Sequence, residues 1–248
     1  MATGYPTRTG IAYGRAPASS AADDAGSGQN RGVTADHYFS SRPQAPAKPT
    51  DVDFVAAGRT FRLSAAAGVF SAGRLDPGTA VLLRKAILPE PTAGGALLDL
   101  GCGYGPITCV LATVAPAATV YAVDVNARAL ALTRTNAQAL GLGERVVAAT
   151  PDEVPPDIRF DQIWSNPPIR IGKTELHELL DRWLPRLEPD GTAWLVVARH
   201  LGADSLGEWL SRQGWFVDRH ASQQGFRVLR ITSGNKSEDA GPLSGENA

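Results

Sequence analysis

The fold is decided by residues 97–107, LLDLGCGYGPI, where an apolar run breaks into three alternating glycines and then into a helical pattern. This order predicts a buried strand, a glycine turn and the start of a helix. Because the turn contains Gly101, Gly103 and Gly105, which have no side chains, a bound molecule can approach its backbone. Pro106 suits the first turn of a helix, where its missing N–H costs nothing. The stretch therefore predicts a ligand-binding turn between a strand and a helix.

A second strand narrows the choice of ligand. Residues 119–123 form an apolar run that ends at Asp124, where α/β nucleotide folds place a carboxylate that accepts hydrogen bonds from ribose hydroxyls. Pro106 removes a donor that a pyrophosphate would use, and Asp99 just before the turn would repel that anion. A carboxylate at this place attracts an ammonium or sulfonium group, which favours S-adenosylmethionine as the cofactor. The alternative is a tight turn without a ligand, and Asp124 argues against it.

The next informative feature is an Asn-Pro-Pro sequence that directly follows a predicted strand over residues 160–165. Because proline disfavours the helical region for the residue before it, Asn166 is expected to be extended at the end of this strand. The Asn166 side-chain oxygen and the Pro167 carbonyl could each accept one hydrogen of a planar amino group and stabilise the charge that develops on it. Asn166→Asp, which keeps an oxygen acceptor, is expected to damage activity less than Asn166→Ala. The alternative is a stiff loop after an edge strand.

Three short motifs point to a family. Residues 166–173 are NPPIRIGK, residues 68–71 are GVFS, and residues 75–78 are LDPG. With the glycine turn they resemble the RsmC-like family of small-domain methyltransferases, over about residues 36–232. Named members of that family methylate the exocyclic 2-amino group of guanine in small-subunit ribosomal RNA. The resemblance implies S-adenosylmethionine as cofactor and ribosomal RNA or the small ribosomal subunit as partner.

The motifs and the resemblance together define the candidate site residues. The catalytic pair is Asn166 and Pro167. The cofactor contacts, which share the glycine turn and the ends of neighbouring strands, are Asp99, Gly101, Gly103, Gly105, Asp124 and Asp152. The substrate contacts, which flank the Asn-Pro-Pro loop or belong to the GVFS motif, are Phe70, Pro168, Ile169, Arg170 and Lys173.

Some of these assignments depend on particular details. Asp152 follows a predicted strand where class I relatives place a polar side chain near the adenine, although an exposed turn explains it equally well. Many amino-methylating relatives carry an aromatic residue after Pro-Pro, and this chain has Ile169. Arg170 and Lys173 follow the loop directly, so they could contact a substrate phosphate.

Composition sets the class of protein. The chain has 248 residues, of which 43% are hydrophobic, enough for one sizeable α/β domain rather than two. No apolar run reaches membrane-spanning length and residues 1–32 lack a signal-peptide core, so a cytoplasmic protein without a membrane partner is expected. Two cysteines and four scattered histidines offer no metal-ligand spacing, and no metal is expected. A net charge of −1 excludes global attraction to polyanions but leaves local patches possible.

Alternating strand and helix patterns predict an α/β fold with a doubly wound, mostly parallel seven-stranded sheet, helices on both faces and an antiparallel closing hairpin. We expect a disordered tail over residues 1–32, a methyltransferase domain over 33–232 with an N-terminal hairpin at about 52–64, and a disordered tail over 233–248. The strands are predicted at 96–100, 119–123, 145–149, 160–165, 192–198, 215–217 and 226–231. The helices are predicted at 76–88, 106–114, 127–140, 174–187 and 204–212, and Asp76 is expected to be the N-cap of the first.

Three classes of function remain open at this point. The first is the ribosomal RNA guanine methyltransferase. The second keeps the chemistry but changes the acceptor to a protein glutamine, a DNA adenine or a small metabolite. The third is a non-catalytic RNA-binding or assembly factor with the same fold, against which the intact Asp99, Asp124 and Asn166 argue. The sequence makes no prediction of oligomeric state.

Overall fold

The structure, a computed structural model, describes residues 49–69, 73–168 and 172–234. The strands within these residues are β1 Pro49–Ala56, β2 Arg59–Ala66, β3 Ala96–Leu100, β4 Thr119–Val123, β5 Val146–Ala149, β6 Phe160–Ser165, β7 Leu187–Ala198, β8 Trp215–Gln223 and β9 Phe226–Ser233. The α-helices are α1 Pro77–Lys85, α2 Pro106–Val114, α3 Ala127–Ala139, α4 Lys173–Trp183 and α5 Ala203–Arg212.

Seven of the strands form one sheet in the order β5-β4-β3-β6-β7-β9-β8. The strands from β5 to β7 pair in parallel, whereas β9 is antiparallel to both β7 and β8. The predicted fold class is therefore confirmed, including the antiparallel hairpin that closes the sheet.

The direction in which the chain adds strands to the sheet reverses between β3 and β6. From β3 the chain moves outward to β4 and β5, and it then returns to build β6 on the opposite side of β3. Leu100 and Ser165, the last residues of these two strands, are register partners, and Ser165 Oγ donates to the Leu100 carbonyl at 2.7 Å. The carboxyl ends of β3 and β6 therefore adjoin at a topological switch point, the place where open α/β sheets bind ligands.

Two apolar layers cover the sheet. One contains buried residues of β1, β2, α1, α2 and α3, and it includes Trp164 and Trp194, whose ring centroids are 6.0 Å apart. The other contains buried residues of α4 and α5 around Leu180 and Trp183. Burying side chains of this size stabilises the fold by about 1.5–3 kcal/mol each before entropy is counted. Helix packing on both faces explains why the strands are apolar runs without polar alternation.

The β1–β2 hairpin is a separate two-stranded sheet that contacts the main one through α3. The Asn136 amide accepts from Ser64 N at 2.8 Å and donates to the carbonyls of Ser64 at 2.9 Å and Tyr104 at 2.8 Å. One side chain therefore ties the hairpin to the residues of the glycine turn.

Several predicted boundaries shift. The helix predicted at 174–187 ends at Trp183, because Pro185 cannot continue it, and β7 begins at Leu187 rather than at 192. The first helix ends at Lys85, since Ala86 is extended ahead of Pro89. β8 continues past residue 217 to Gln223, because polar residues around a bulge between Asp218 and Ala221 mask its strand pattern.

The predicted N-terminal tail and most of the predicted C-terminal tail lie outside the described residues. Among the helices of residues 49–69, 73–168 and 172–234, none combines the length and the apolar character that a membrane span requires.

Candidate active site

The glycine turn connects β3 to α2. Gly101 N and Cys102 N both donate to the Val123 carbonyl, at 2.8 and 3.0 Å, which fixes the turn against the end of β4. A methyl group placed on Gly101 would meet no described atom within 4 Å, so this face of the turn is open to a ligand. Gly105 differs, because it has a φ of +89° and a methyl group there would lie 2.9 Å from Thr133 Oγ1. Gly105 is therefore needed for backbone conformation and for close packing on α3.

Asp99 lies at the carboxyl end of β3 and is fully buried. Its Oδ2 accepts from Thr108 N at 2.8 Å and from Thr108 Oγ1 at 2.5 Å, whereas its buried Oδ1 has no hydrogen-bond partner among the described residues. Burial, with a smaller contribution from the charge of Asp124, raises the pKa of Asp99 to about 7 although the hydrogen bonds from Thr108 oppose the shift. A positively charged ligand beside this oxygen would stabilise the ionised form.

Asp124 follows β4 and is buried beside the same turn. Its Oδ2 accepts from Gly103 N at 3.0 Å and its Oδ1 accepts from Asn126 N at 2.9 Å. Burial raises the pKa of Asp124, although the backbone hydrogen bonds oppose the shift. Each carboxylate oxygen keeps a second lone pair, so Asp124 can hold the turn and still accept from a ligand hydroxyl.

Asn166 directly follows β6, with the buried Pro167 behind it. Its Nδ2 donates to Asp76 Oδ1 at 2.7 Å and to Thr79 Oγ1 at 3.0 Å. Asp76 is also the N-cap of α1, because the same Oδ1 accepts from Thr79 N at 3.0 Å. The Asn-Pro-Pro loop is therefore joined to the start of α1.

These segments meet at one cleft. Its lining consists of Asp76 and Thr79 from the start of α1, residues 101–104 of the glycine turn, Pro106 and Ile107 from α2, and Asn166. The Tyr104 hydroxyl in this lining is buried without a partner in the described part of the chain. Burial and the nearby charge of Asp76 raise the pKa of Tyr104, which keeps it protonated. The predicted cofactor turn and the predicted catalytic asparagine thus share one crevice.

Other predicted residues lie elsewhere. Asp152 is absent from the cleft lining, and its carboxylate, 89% exposed, pairs with Arg182 Nη2 at 2.8 Å. Its predicted contact with the cofactor stays a prediction. Lys173 is the exposed first residue of α4, and Pro168 is half-buried beyond Pro167.

Three predicted substrate contacts lie outside the described residues, namely Phe70, Ile169 and Arg170. Gly68 and Val69, the described residues just before Phe70, lie beside the glycine turn. The Gly68 carbonyl accepts from Asn126 Nδ2 at 3.0 Å, and Val69 Cγ1 lies 4.0 Å from a methyl group placed on Gly103.

The contacts around Asn166 include residues that the sequence did not assign to the site. A methyl group placed on Gly78 would lie 3.0 Å from Phe226 Cε1 and 3.3 Å from Asn166 Oδ1, so an aromatic ring approaches the amide from β9. Asp76 was expected only as a helix cap, and Thr79 had no assigned role. The LDPG motif marked this segment, but no sequence pattern pairs it with a residue 90 positions away.

A mostly parallel sheet that reverses its winding order beside a glycine turn is the fold of class I methyltransferases. This chain has that fold, and its Asn-Pro-Pro loop follows β6 at the switch point. Residues 60–230 match the methyltransferase small domain family, and the chain belongs to that family.

Its relatives agree with this assignment. The chain is 30% identical over 197 residues to the uncharacterized protein YbxB of Bacillus subtilis (strain 168), covering 79% of this chain and 97% of that protein. It is 38% identical over 175 residues to ribosomal RNA small subunit methyltransferase C of Hahella chejuensis, covering 66% of this chain and 50% of that enzyme. The chain spans about half the length of this curated methyltransferase.

A solved structure is also similar. The Thermus thermophilus 16S rRNA N2 G1207 methyltransferase (RsmC), in complex with AdoMet and guanosine, aligns with a TM-score of 0.62 and 24% identity, covering 77% of this chain and 52% of that one. This likeness establishes the fold. Together with the family match and the relatives, it confirms the resemblance found in the sequence motifs.

Proposed function

We propose that this protein transfers the methyl group of S-adenosylmethionine to the exocyclic 2-amino group of a guanine in small-subunit ribosomal RNA. One observation carries the proposal: Asn166, whose side-chain oxygen can accept a hydrogen bond from a planar amine, lines the same cleft as the glycine turn. The names of the relatives supply the substrate class, since they include ribosomal RNA small subunit methyltransferases and an enzyme in complex with AdoMet and guanosine.

The residues at the turn fit S-adenosylmethionine. Asp99 brings a buried carboxylate, one oxygen of which has no partner among the described residues, and this suits a cationic ammonium or sulfonium group. Asp124 would accept from the ribose hydroxyls, and the open face at Gly101 allows the ligand to approach the backbone. Gly103 would likewise let the ligand approach the backbone, whereas Gly105 would act by allowing the turn to pack closely on α3.

The reaction requires an activated methyl group and an oriented amine. When bound, S-adenosylmethionine supplies a methyl group on a positively charged sulfur. Asn166 Oδ1 and the Pro167 carbonyl would each accept one hydrogen of the guanine amine and so direct its lone pair towards that methyl. The methyl group would pass to the nitrogen at the expense of the carbon–sulfur bond, whose electron pair would stay on sulfur, and the surplus proton of the amine would pass to water.

These acceptors also provide the rate enhancement. The amine becomes positively charged during attack, and oxygen atoms already aimed at its hydrogens stabilise that charge without reorganising. No strong base is required, because the nitrogen loses its proton only after the new bond has formed.

RNA contacts would come from residues beside the loop. Lys173 is exposed at the start of α4, where a cation can contact a phosphate, and Arg170 belongs to the same sequence motif. Phe70, Pro168 and Ile169 would surround the base. With a net charge of −1, binding depends on such local contacts. A ribosomal substrate would put the enzyme in the cytoplasm.

A competition between acceptors tests this function. The full chain and methyl-labelled S-adenosylmethionine are incubated with small ribosomal subunits, naked ribosomal RNA, DNA and protein extract, with Asn166→Ala as the matched control. Label in ribosomal RNA, recovered as N2-methylguanosine after nuclease digestion and absent with the control, is expected. Label in protein glutamine, DNA adenine or a small metabolite would replace the substrate assignment, and no transfer to any acceptor would favour a non-catalytic factor.

A further inference from the structure

The start of α1 and the end of β6 are joined by a closed set of side-chain contacts. The two hydrogens of Asn166 Nδ2 are both donated, one to Asp76 Oδ1 at 2.7 Å and one to Thr79 Oγ1 at 3.0 Å. Asp76 Oδ1 additionally accepts from Thr79 N at 3.0 Å. The first turn of α1 therefore binds the whole NH2 group of the asparagine.

This arrangement determines which way the amide points. A carboxylate can only accept hydrogen bonds, so the side of the Asn166 amide that faces Asp76 must be its NH2 group. The carbonyl oxygen Oδ1 is then left without either of these partners and remains available as an acceptor. If the amide were rotated by 180°, two oxygen atoms would face each other at hydrogen-bond distance, which is unfavourable.

The helix that holds the amide is itself well anchored. Thr79 is 4% exposed, and Val81, Leu82 and Leu83 of α1 are buried in the apolar layer beneath it. Gly78 leaves room beside the amide oxygen, since a methyl group there would lie 3.3 Å from Asn166 Oδ1. The contact is thus formed by a rigid element rather than by a free side chain.

We propose that Asp76 and Thr79 are positioning residues that hold Asn166 with Oδ1, not Nδ2, directed at the target amine. The negative charge of Asp76 also polarises the amide, so that Asn166 Oδ1 becomes a stronger acceptor as the amine gains positive charge. This inference rests on the proposed role of Asn166 as an acceptor for the amine. If the NH2 group of Asn166 faced the amine, two donors would meet and the reaction would be opposed. The first turn of α1 prevents that orientation.

A series of substitutions at residue 76 separates three effects. Asp76→Asn keeps a helix cap and an acceptor for Asn166 but removes the charge. Asp76→Ser keeps a helix cap but is too short to reach Asn166. Asp76→Ala loses the cap, the contact and the charge. Thr79→Val removes only the second acceptor and keeps the shape of the side chain.

The measurements are kcat and KM with small ribosomal subunits, the cofactor Kd and the melting temperature of the full chain. We expect Asp76→Ser to lower kcat at least ~10-fold, with KM and cofactor Kd unchanged. Asp76→Asn should recover part of this loss, because its oxygen still orients the amide, and Thr79→Val should lower kcat about threefold. Only Asp76→Ala should lower the melting temperature appreciably, by about 2–4 °C, because it alone lacks a cap. Asp53→Asn, at an exposed ion pair on β1, serves as the charge control and should leave kcat unchanged.

The outcomes distinguish this inference from the function on which it rests. If Asn166→Ala is slow while Asp76→Ser and Asp76→Asn both turn over at the wild-type rate, the α1 contact is only structural and the inference is overturned. A raised KM with unchanged kcat would also overturn it, because α1 would then bind substrate directly. If Asn166→Ala itself turns over at the wild-type rate, the proposed function fails and the inference fails with it.

Discussion

The two sides of the cleft are built in different ways. The cofactor side, residues 97–126, is local in sequence and is held by backbone groups, since Gly101, Cys102 and Gly103 donate their N–H groups to the end of β4 or to Asp124. The acceptor side joins Asn166 to Asp76, 90 residues away, and to Thr79, 87 residues away, through side chains. Substitutions on the acceptor side should therefore impair chemistry more than folding, and those on the cofactor side should impair both.

The largest effect is expected for Asn166→Asp. The sequence alone favoured a mild effect, because an oxygen acceptor survives. The structure reverses that expectation, since the new carboxylate would face Asp76 Oδ1, which lies 2.7 Å from Asn166 Nδ2. Two carboxylates at that distance repel each other, and one would take up a proton or turn away. We expect turnover below that of Asn166→Ala, measured as kcat with small ribosomal subunits at pH 7.5 or above. A rate between those of Asn166→Ala and the wild type would show that the acceptor oxygen matters more than the contact with α1.

On the cofactor side, Asp124→Ala should weaken S-adenosylmethionine binding by about 100-fold, because charge-assisted hydrogen bonds to the ribose are lost. It should also lower the melting temperature, since Gly103 N and Asn126 N lose their acceptor. Calorimetric titration and thermal melting measure the two effects, with Asp53→Ala at the exposed ion pair with Arg62 as the control. Unchanged cofactor affinity in Asp124→Ala would remove this residue from the cofactor site.

Asp99 should make stability and cofactor binding depend on pH in opposite directions. Its pKa is raised from 3.8 to about 7 by burial, so the folded chain binds this proton more tightly than the unfolded chain does. The stability that this proton adds to the folded state is present at low pH and is lost as the pH rises from about 4 to about 7. Cofactor affinity should rise over the upper part of that range, because a cationic ligand favours ionised Asp99.

Asp99→Asn tests this coupling. We expect it to flatten both pH profiles relative to the wild type, to raise the melting temperature of the cofactor-free protein at pH 8, and to weaken cofactor binding there. Thermal melts and titrations between pH 5 and pH 8 provide the data. Identical pH profiles for the two proteins would mean that Asp99 does not titrate in this range.

The smallest effect is expected outside the described residues. Residues 1–32 are rich in Gly, Ala, Ser and Thr, and this composition predicts that they are not needed for folding or cofactor binding. A chain that begins at Gly32 should melt at nearly the temperature of the full chain and bind the cofactor with the same affinity. A drop of several degrees would show that this segment packs on the domain.

The same contrast explains what the sequence could and could not predict. The turn at residues 97–107 and the strand that ends at Asp124 carry their own signals, namely glycine spacing, an apolar run and a terminal carboxylate. The predicted ends of helices and strands were wrong where local signals conflict, as at Pro185 after α4 and in the polar edge strand β8. The pairing of Asn166 with Asp76 and Thr79 arises only when β6 is placed beside β3 and α1 packs over them. No periodic sequence pattern indicates a contact between residues so far apart in the chain.

The most direct test of the proposed function is a single-turnover experiment with Asn166→Ala. Enzyme in excess over small ribosomal subunits, with saturating labelled S-adenosylmethionine, reports the rate of methyl transfer to N2-guanine without product release. We expect this rate to fall at least ~10²-fold while the cofactor Kd and the melting temperature stay near their wild-type values, because one preorganised acceptor of the reacting amine is removed. Transfer at the wild-type rate would mean that the Asn-Pro-Pro loop is only a structural turn, and the assignment of the catalytic site would have to be withdrawn.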